Sequence, residues 1–415
     1  MTTPADAGAE ASASDEPFGS ITVIVLLALV FAIAAFGTDM YLPAFPAIRR
    51  AFDTSPQTVQ LSLSIFLYGN AAGHLFFGPL SDRFGRRPVL LLGLAAFAVA
   101  SFGCALAGEM SEFLTYRLAQ GAAAASGPVL VRALINDRLE RERAAQTLAL
   151  LTGLMALAAM LTPAAGGWLV QHATWEWIFY SIGTIAVLLL VGATAGTEET
   201  LPRERRLARL APVDVVRGYF AVTRNLRFWC YVLPPSLMFA GVFAFAVVNS
   251  FLLIDELGMA EQFHGITYSI AALAYVAGSF TSNRLVGIVG IDRGIVFGLT
   301  LGVSSALAAV VASASLSLSI PLVVIPGLLI FYSTASMQPI AFSMAVSLFP
   351  TRRGSASAVV GFVQLSFAGA SSSFAAYLYD STTLPLHIFT LGCSAAAAFV
   401  WVAGHSLRRA PIRMS

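Results

Sequence analysis

The chain contains no lysine; all 24 of its basic residues are arginine. That absence excludes several chemistries at once. A Walker A phosphate loop needs a lysine after its second glycine, and Schiff-base catalysis needs a lysine amine. Charge of either sign is scarce, at 11% of 415 residues, against about 25% in an ordinary soluble domain. Only three cysteines occur, Cys104, Cys230 and Cys393, far apart and each inside an apolar stretch. They offer neither a metal-ligand spacing nor a disulfide framework, and there is no His-Glu-x-x-His. No metal, no cofactor, no enzymatic activity and no nucleic-acid partner are therefore expected. Residues 1–19 lack any base, whereas a secretory signal opens with a positive segment. Their Ala, Ser, Thr and acid content fits a disordered cytoplasmic tail.

What the chain has instead is apolar sequence in long blocks, 57% of all residues. Each block approaches the roughly 20 residues needed to cross a bilayer as a helix. A membrane barrel would show weak alternation over about ten residues instead. The expected fold is an all-α membrane protein of twelve transmembrane helices. Their limits fall near 20–47, 57–79, 88–108, 111–136, 144–170, 174–195, 227–254, 263–287, 291–313, 318–343, 354–378 and 383–406. The 318–343 span holds Pro321, Pro326 and Pro339 and is expected to kink. A charged segment, 196–226, separates six spans from six. The reading is two six-helix bundles, 20–195 and 227–406, joined by a cytoplasmic linker and followed by a tail, 407–415.

Arginine placement gives the orientation. With the N-terminus in the cytoplasm, 20 of the 24 arginines fall in inner loops and tails. Only Arg49 and Arg50 lie outside, and Arg117 and Arg132 lie within spans. This positive-inside bias puts both termini in the cytoplasm.

Asp39 is the one acidic residue placed well inside a span, within Gly37-Thr38-Asp39-Met40-Tyr41-Leu42-Pro43. A carboxylate at bilayer depth costs about 2.5–3.5 kcal/mol on insertion scales and so reads as functional. Its protonation would neutralise the site and change the energy of an occluded state. The competing reading is a structural acid at the kink before Pro43. Arg117, about two turns into the fourth span, is expected at comparable depth, as Asp39's partner or as a buried structural cation. Arg132 either snorkels to the cytoplasmic interface or lines a cavity. Asn70 and His74 share a face of the second span; His74 either titrates or is a hydrogen-bonded structural histidine. Tyr41 and, in the second half, Asn249, Tyr275, Tyr332 and Gln338 complete the candidate substrate contacts. No embedded charge is expected in the second half, so proton handling falls to the first.

The densest motif is Gly78-Pro79-Leu80-Ser81-Asp82-Arg83-Phe84-Gly85-Arg86-Arg87. Gly78 and Pro79 are expected to close the second helix and Gly85 to permit a tight turn. Asp82, Arg83, Arg86 and Arg87 supply charged contacts that hold helices and release them. Ala158 to Gly167, with Pro163, Gly166 and Gly167, combines small residues with a proline, which lets helices approach closely and either seals one side of a path or only packs.

The 78–87 stretch resembles the loop signature of the major facilitator superfamily, between its second and third helices. Arg117-Leu118-Ala119-Gln120-Gly121 is similar to that family's fourth-helix Arg-x-x-Gln-Gly motif. Ala158 to Gly167 resembles the fifth-helix motif of its proton-coupled antiporters, with Thr162 and Ala158 where glycine is usual. Within the superfamily the chain looks most like the bicyclomycin- and phenicol-resistance exporters, the Bcr/CflA type. That likeness rests on Thr38 to Ala44, Gly78 to Arg87, Gly354-Ser355-Ala356-Ser357-Ala358 and Gly361-Phe362-Val363-Gln364. The resemblance implies a monomeric bacterial inner-membrane drug:proton antiporter, with Asp39 and Arg117 in proton coupling. An exporter of a single natural product, such as a siderophore or a self-made antibiotic, and a proton-coupled importer are the alternatives.

Overall fold

The computed structural model describes residues 21–206 and 212–409. The expected 1–19 tail and residues 410–415 of the expected C-terminal tail lie outside the described residues. Within them every regular element is helical, as hydrocarbon requires of a chain that must satisfy its backbone internally.

The twelve spans follow the sequence blocks. The first is composite: Ile21–Phe31, Ile33–Asp39, a 3-10 turn at Leu42–Ala44 and a helix at Phe45–Ala51, with a 43° bend. The second and third are Pro56–Phe84 and Arg86–Leu106; the fourth is split into Met110–Ala124 and Ser126–Arg138. The fifth and sixth are Arg141–His172 and Glu176–Gly196. The second half runs Leu226–Ser250 with a π-turn at Phe251–Glu256, then Glu261–Val289, Ile291–Ser315, Ile320–Ser347, Arg353–Leu378 and Leu384–Ala403. The tenth span stays one continuous helix through Pro326 and Pro339. The linker adds a helix of its own, Pro212–Thr223.

Among the described residues, nine of these helices are long and apolar enough to cross a membrane, and the bent first span makes a tenth. The other two, Pro56–Phe84 and Glu261–Val289, have 29 residues each but are diluted by polar groups such as Gln60, Asn70 and His74, or His264 and Tyr268. Both lie at the seam between the halves. The second span packs along the eleventh, and the eighth along the fifth.

Glycines set how closely the seam closes. Within the first half, a β-carbon on Gly166 would sit 1.7 Å from the Met40 carbonyl oxygen; across the seam, one on Gly265 would sit 2.3 Å from that of Pro163. One on Gly167 would meet the Glu261 carbonyl oxygen at 2.5 Å. Backbone therefore touches backbone across the halves at the end carrying Arg49 and Arg50, here called the far end. The opposite, basic end carries the 78–87 loop.

The expected helix stop at Gly78-Pro79 is wrong. The second span continues to Phe84. Pro79 has no N–H to give the Leu75 carbonyl four residues back. The Tyr219 hydroxyl of the linker helix donates to that oxygen at 2.6 Å, and Ser81 Oγ donates to the Gly78 carbonyl at 2.8 Å. With these carbonyls supplied, the helix tolerates the proline. The break falls instead on Gly85, at φ 101° and ψ 153°, in a region that favours glycine.

Candidate functional site between the halves

The site begins with a broken helix. Pro43 and Pro46 cannot donate to the carbonyls of Asp39 and Leu42, so the first span loses its regular bonding just past Asp39. Two groups take up the exposed carbonyls. Arg117 Nη1 donates to Gly37 O at 3.0 Å, and Ser250 Oγ, from the seventh span, donates to Leu42 O at 3.0 Å. A guanidinium at the C-terminal end of Ile33–Asp39 also meets the negative pole of that helix.

Arg117 is fully buried. Its guanidinium lies 4.1 Å from the Tyr41 ring centroid and 4.3 Å from that of Phe66, within cation–π range. Nη1 also donates to Gln120 Oε1, whose amide donates to Ser101 Oγ at 2.8 Å. The expected ion pair with Asp39 is not formed: among the described residues no arginine lies within ion-pair distance of Asp39. Arg117 gives Nη1 to the helix end and to Gln120, while its Nε and Nη2 are buried without a hydrogen-bond partner. Asp39 is left half-buried beside the seam, with Tyr268 of the eighth span in electrostatic reach.

The remaining candidates divide into groups. Tyr41 is fully buried under Arg117, with its hydroxyl 3.3 Å from Ser62 Oγ. It is not exposed to a substrate in this conformation. Asn70 is buried with Oδ1 unpartnered. His74 is half-buried against Gly361 of the eleventh span and within electrostatic reach of Arg132. Arg132 is exposed, 5.4 Å from the Phe31 ring centroid. In the second half, Tyr275 donates to Gln338 Oε1 at 2.9 Å, and Tyr332 shares a 2.8 Å bond with Thr281. Asn249 is elsewhere, at the far end, 3.1 Å from His264 Nε2.

The 78–87 loop forms a separate cluster. Arg86 reaches Asp82 at 2.6 Å and Asp137, at the end of the fourth span, at 3.0 Å. Its backbone N–H donates to Glu199 after the sixth span, and Arg87 Nη2 donates to the Thr194 carbonyl at 2.6 Å. Arg83 stays exposed, 4.9 Å from the Phe84 ring centroid. A β-carbon at Gly78 would meet open space, whereas one on Gly85 would strike the Glu199 carboxylate. These charges tie together four helix ends of one half.

Sequence reasoning missed Ser250, His264, Tyr219, Glu199 and the ion pairs Arg49–Asp255 at 3.2 Å and Arg50–Glu261 at 4.0 Å. One usable signal was present. The residue four before a proline has a freed carbonyl; Leu42 before Pro46 and Leu75 before Pro79 are both met by a hydroxyl from another element. Which hydroxyl arrives could not be read from the chain.

Comparison with known proteins agrees with this architecture. A bicyclomycin resistance protein homolog of Haemophilus influenzae is 28% identical over 371 residues, covering 89% of this chain and 92% of its own. The multidrug resistance protein MdtL of Klebsiella pneumoniae is 29% identical over 331 residues, covering 79% and 82%. The uncharacterized transporter YdgK of Bacillus subtilis is 29% identical over 371 residues, covering 88% and 91%. Among solved structures, the partially occluded inward-open xylose transporter XylE of E. coli superposes with a TM-score of 0.72 at 14% identity, covering 92% of this chain and 97% of that one; at that identity the likeness concerns the fold. The Major Facilitator Superfamily profile matches residues 27–373. With its helical halves, seam and loop motif, the chain is a multi-pass membrane transporter and belongs to the Major Facilitator Superfamily.

Proposed function

We propose that this protein is a proton-coupled antiporter that exports small amphipathic drugs or antibiotics across the bacterial inner membrane. It works as a monomer with both termini in the cytoplasm, so the far end faces outward. The observation that carries the reading is Asp39: a half-buried acid with no ion pair among the described residues, at a proline-broken helix, beside the seam. An acid held by an arginine would resist protonation; Asp39 is unpaired, and Arg117 instead fixes the shape of the helix that presents it. The names of the bicyclomycin- and multidrug-resistance relatives support the substrate class.

The cycle follows from alternating access. Drug enters from the basic end, between half-buried groups such as His74, Tyr275, Tyr332 and Gln338, while Asp39 is charged. The far-end seam opens, Asp39 takes a proton and the drug leaves. On return the proton goes to the cytoplasm. One embedded acid implies one proton per cycle.

The test is resistance and efflux in an efflux-deficient host. Wild type should lower drug accumulation, and collapsing the proton gradient should abolish the effect, as should Asp39→Asn. Gradient-driven efflux by Asp39→Asn at the wild-type rate would refute the assignment, and accumulation of drug above the passive level would favour uptake.

A further inference from the structure

We propose that His264 is the proton-sensitive latch of the far-end seam: its neutral form holds the outer side closed, and protonation from outside releases it. The inference rests on the proton-antiport reading and adds a second titratable residue, in the half from which sequence analysis expected none.

The geometry is a chain of contacts crossing the seam. His264 lies in the first turn of the eighth span and is fully buried. Its Nε2 is 3.1 Å from Asn249 Nδ2 and 3.3 Å from Ser250 Oγ. The Ser250 hydroxyl donates to the Leu42 carbonyl of the first half at 3.0 Å, three residues past Asp39. Next to His264, Gly265 packs on the Pro163 carbonyl of the fifth span. The imidazole therefore buttresses a serine that bonds the two halves together, at the carbonyl freed by Pro46.

A neutral ring fits this place: Nε2 accepts from the Asn249 amide, and the serine keeps its hydrogen for Leu42. A protonated ring does not. The neutral ring that accepts at Nε2 already carries its one hydrogen on Nδ1, where no partner is present; protonation adds a second N–H at Nε2, facing the Asn249 amino group, and a positive charge. That charge would sit in a fully buried place, stripped of its hydration.

The ionisable groups around His264 do not remove this conflict. On the first span these are Asp39, Tyr41, Arg49 and Arg50. The two arginines are paired with Asp255 and Glu261 at the outer rim. Glu256, at the end of the seventh span, accepts from Tyr379. On its own helix Glu261 and Tyr268 lie on either side, and from the fifth span Thr162 to Gly167 bring no ionisable side chain. The tenth span brings only Tyr332, bonded to Thr281. No acid makes an ion pair with the imidazole among the described residues. Opening the seam relieves the conflict by admitting water to the charged ring.

The experiment is a distance measurement across the seam. Spin labels at Ala51 and Met259, with Cys104, Cys230 and Cys393 replaced by serine or alanine, report far-end opening in reconstituted protein. Between about pH 8 and about pH 5, the range in which histidine titrates, the open fraction of His264-containing protein should rise about tenfold. His264→Asn should keep an almost constant open fraction over that range, while Asp39→Asn should retain most of the response. Ser250→Ala, which keeps the histidine but removes the cross-seam bond, should be partly open already at high pH. A His264→Asn protein that opens with acid like wild type overturns the proposal, as does a Ser250→Ala protein that stays as closed as wild type at high pH. Loss of the response in Asp39→Asn alone makes Asp39 the sensor, overturning the latch while leaving the antiport reading intact. Failure of antiport itself shows separately, as gradient-independent efflux by wild type.

Discussion

The two ends of the molecule are held by different kinds of contact. At the basic end, Arg86, Asp82, Asp137 and Glu199 bind four helix termini of one half with charge. At the far end, the halves meet through glycine-to-carbonyl contacts at Gly167 and Gly265 and through one serine hydroxyl, with ion pairs only at the rim. Charged networks suit parts that move as a unit. A seam that must part many times is better made of contacts that carry little desolvation cost on opening, and close packing provides that because it falls off within about an ångström.

The comparison breaks most sharply at Gly265. A leucine there has no room against the Pro163 carbonyl of the other half, and overpacking costs about 1–3 kcal/mol in ordinary cores. Gly265→Leu should hold the far end open and cut transport by about tenfold or more, read as labelling of an introduced far-end cysteine such as Ala51→Cys, while thermal unfolding of the protein changes far less. Normal transport by this variant would mean that the glycine contacts do not gate.

Gly85→Ala tests the other end. It puts a side chain at φ 101° and against Glu199, and such strain costs about 1–3 kcal/mol. Here the order should reverse: a lower unfolding temperature, with the far-end pH response kept.

The smallest effect is expected at the linker. Tyr219→Phe removes the donor to Leu75 O, worth about 1 kcal/mol. Burial and the nearby Asp82 carboxylate push the Tyr219 phenol up to about 12. The phenol of the unfolded chain titrates near 10. The stability it contributes is therefore fully present below about pH 10 and lost as pH rises through about 12. The difference between wild type and Tyr219→Phe should stay constant through neutral pH and shrink only in strong alkali, measured by thermal unfolding.

The fold was legible because hydrocarbon allows so few solutions. Apolar blocks near the spanning length marked twelve helices, and the helices follow them within a few residues. The loop motif and Asp39 were legible as expensive or ordered residues in cheap surroundings. The pairing of Asp39 with Arg117 was not, because depth along a span says nothing about which side chain turns toward which; Arg117 went to the Gly37 carbonyl instead. The Gly78-Pro79 stop was misread because a proline's cost depends on whether its freed carbonyl finds a donor, and Tyr219 is 144 residues from Leu75. His264 escaped notice for the same reason: a lone histidine next to an acidic helix start looks like a surface residue until the seventh span is folded over it.

The central claim is that Asp39 carries the exchanged proton. The direct measurement is proton flux on drug addition in proteoliposomes of defined orientation, with no other ion gradient. Wild-type protein should move protons against the drug, about one per molecule. Asp39→Asn should bind the drug, seen as quenching of intrinsic tryptophan fluorescence, and move no protons. Proton movement by Asp39→Asn equal to wild type would contradict the account.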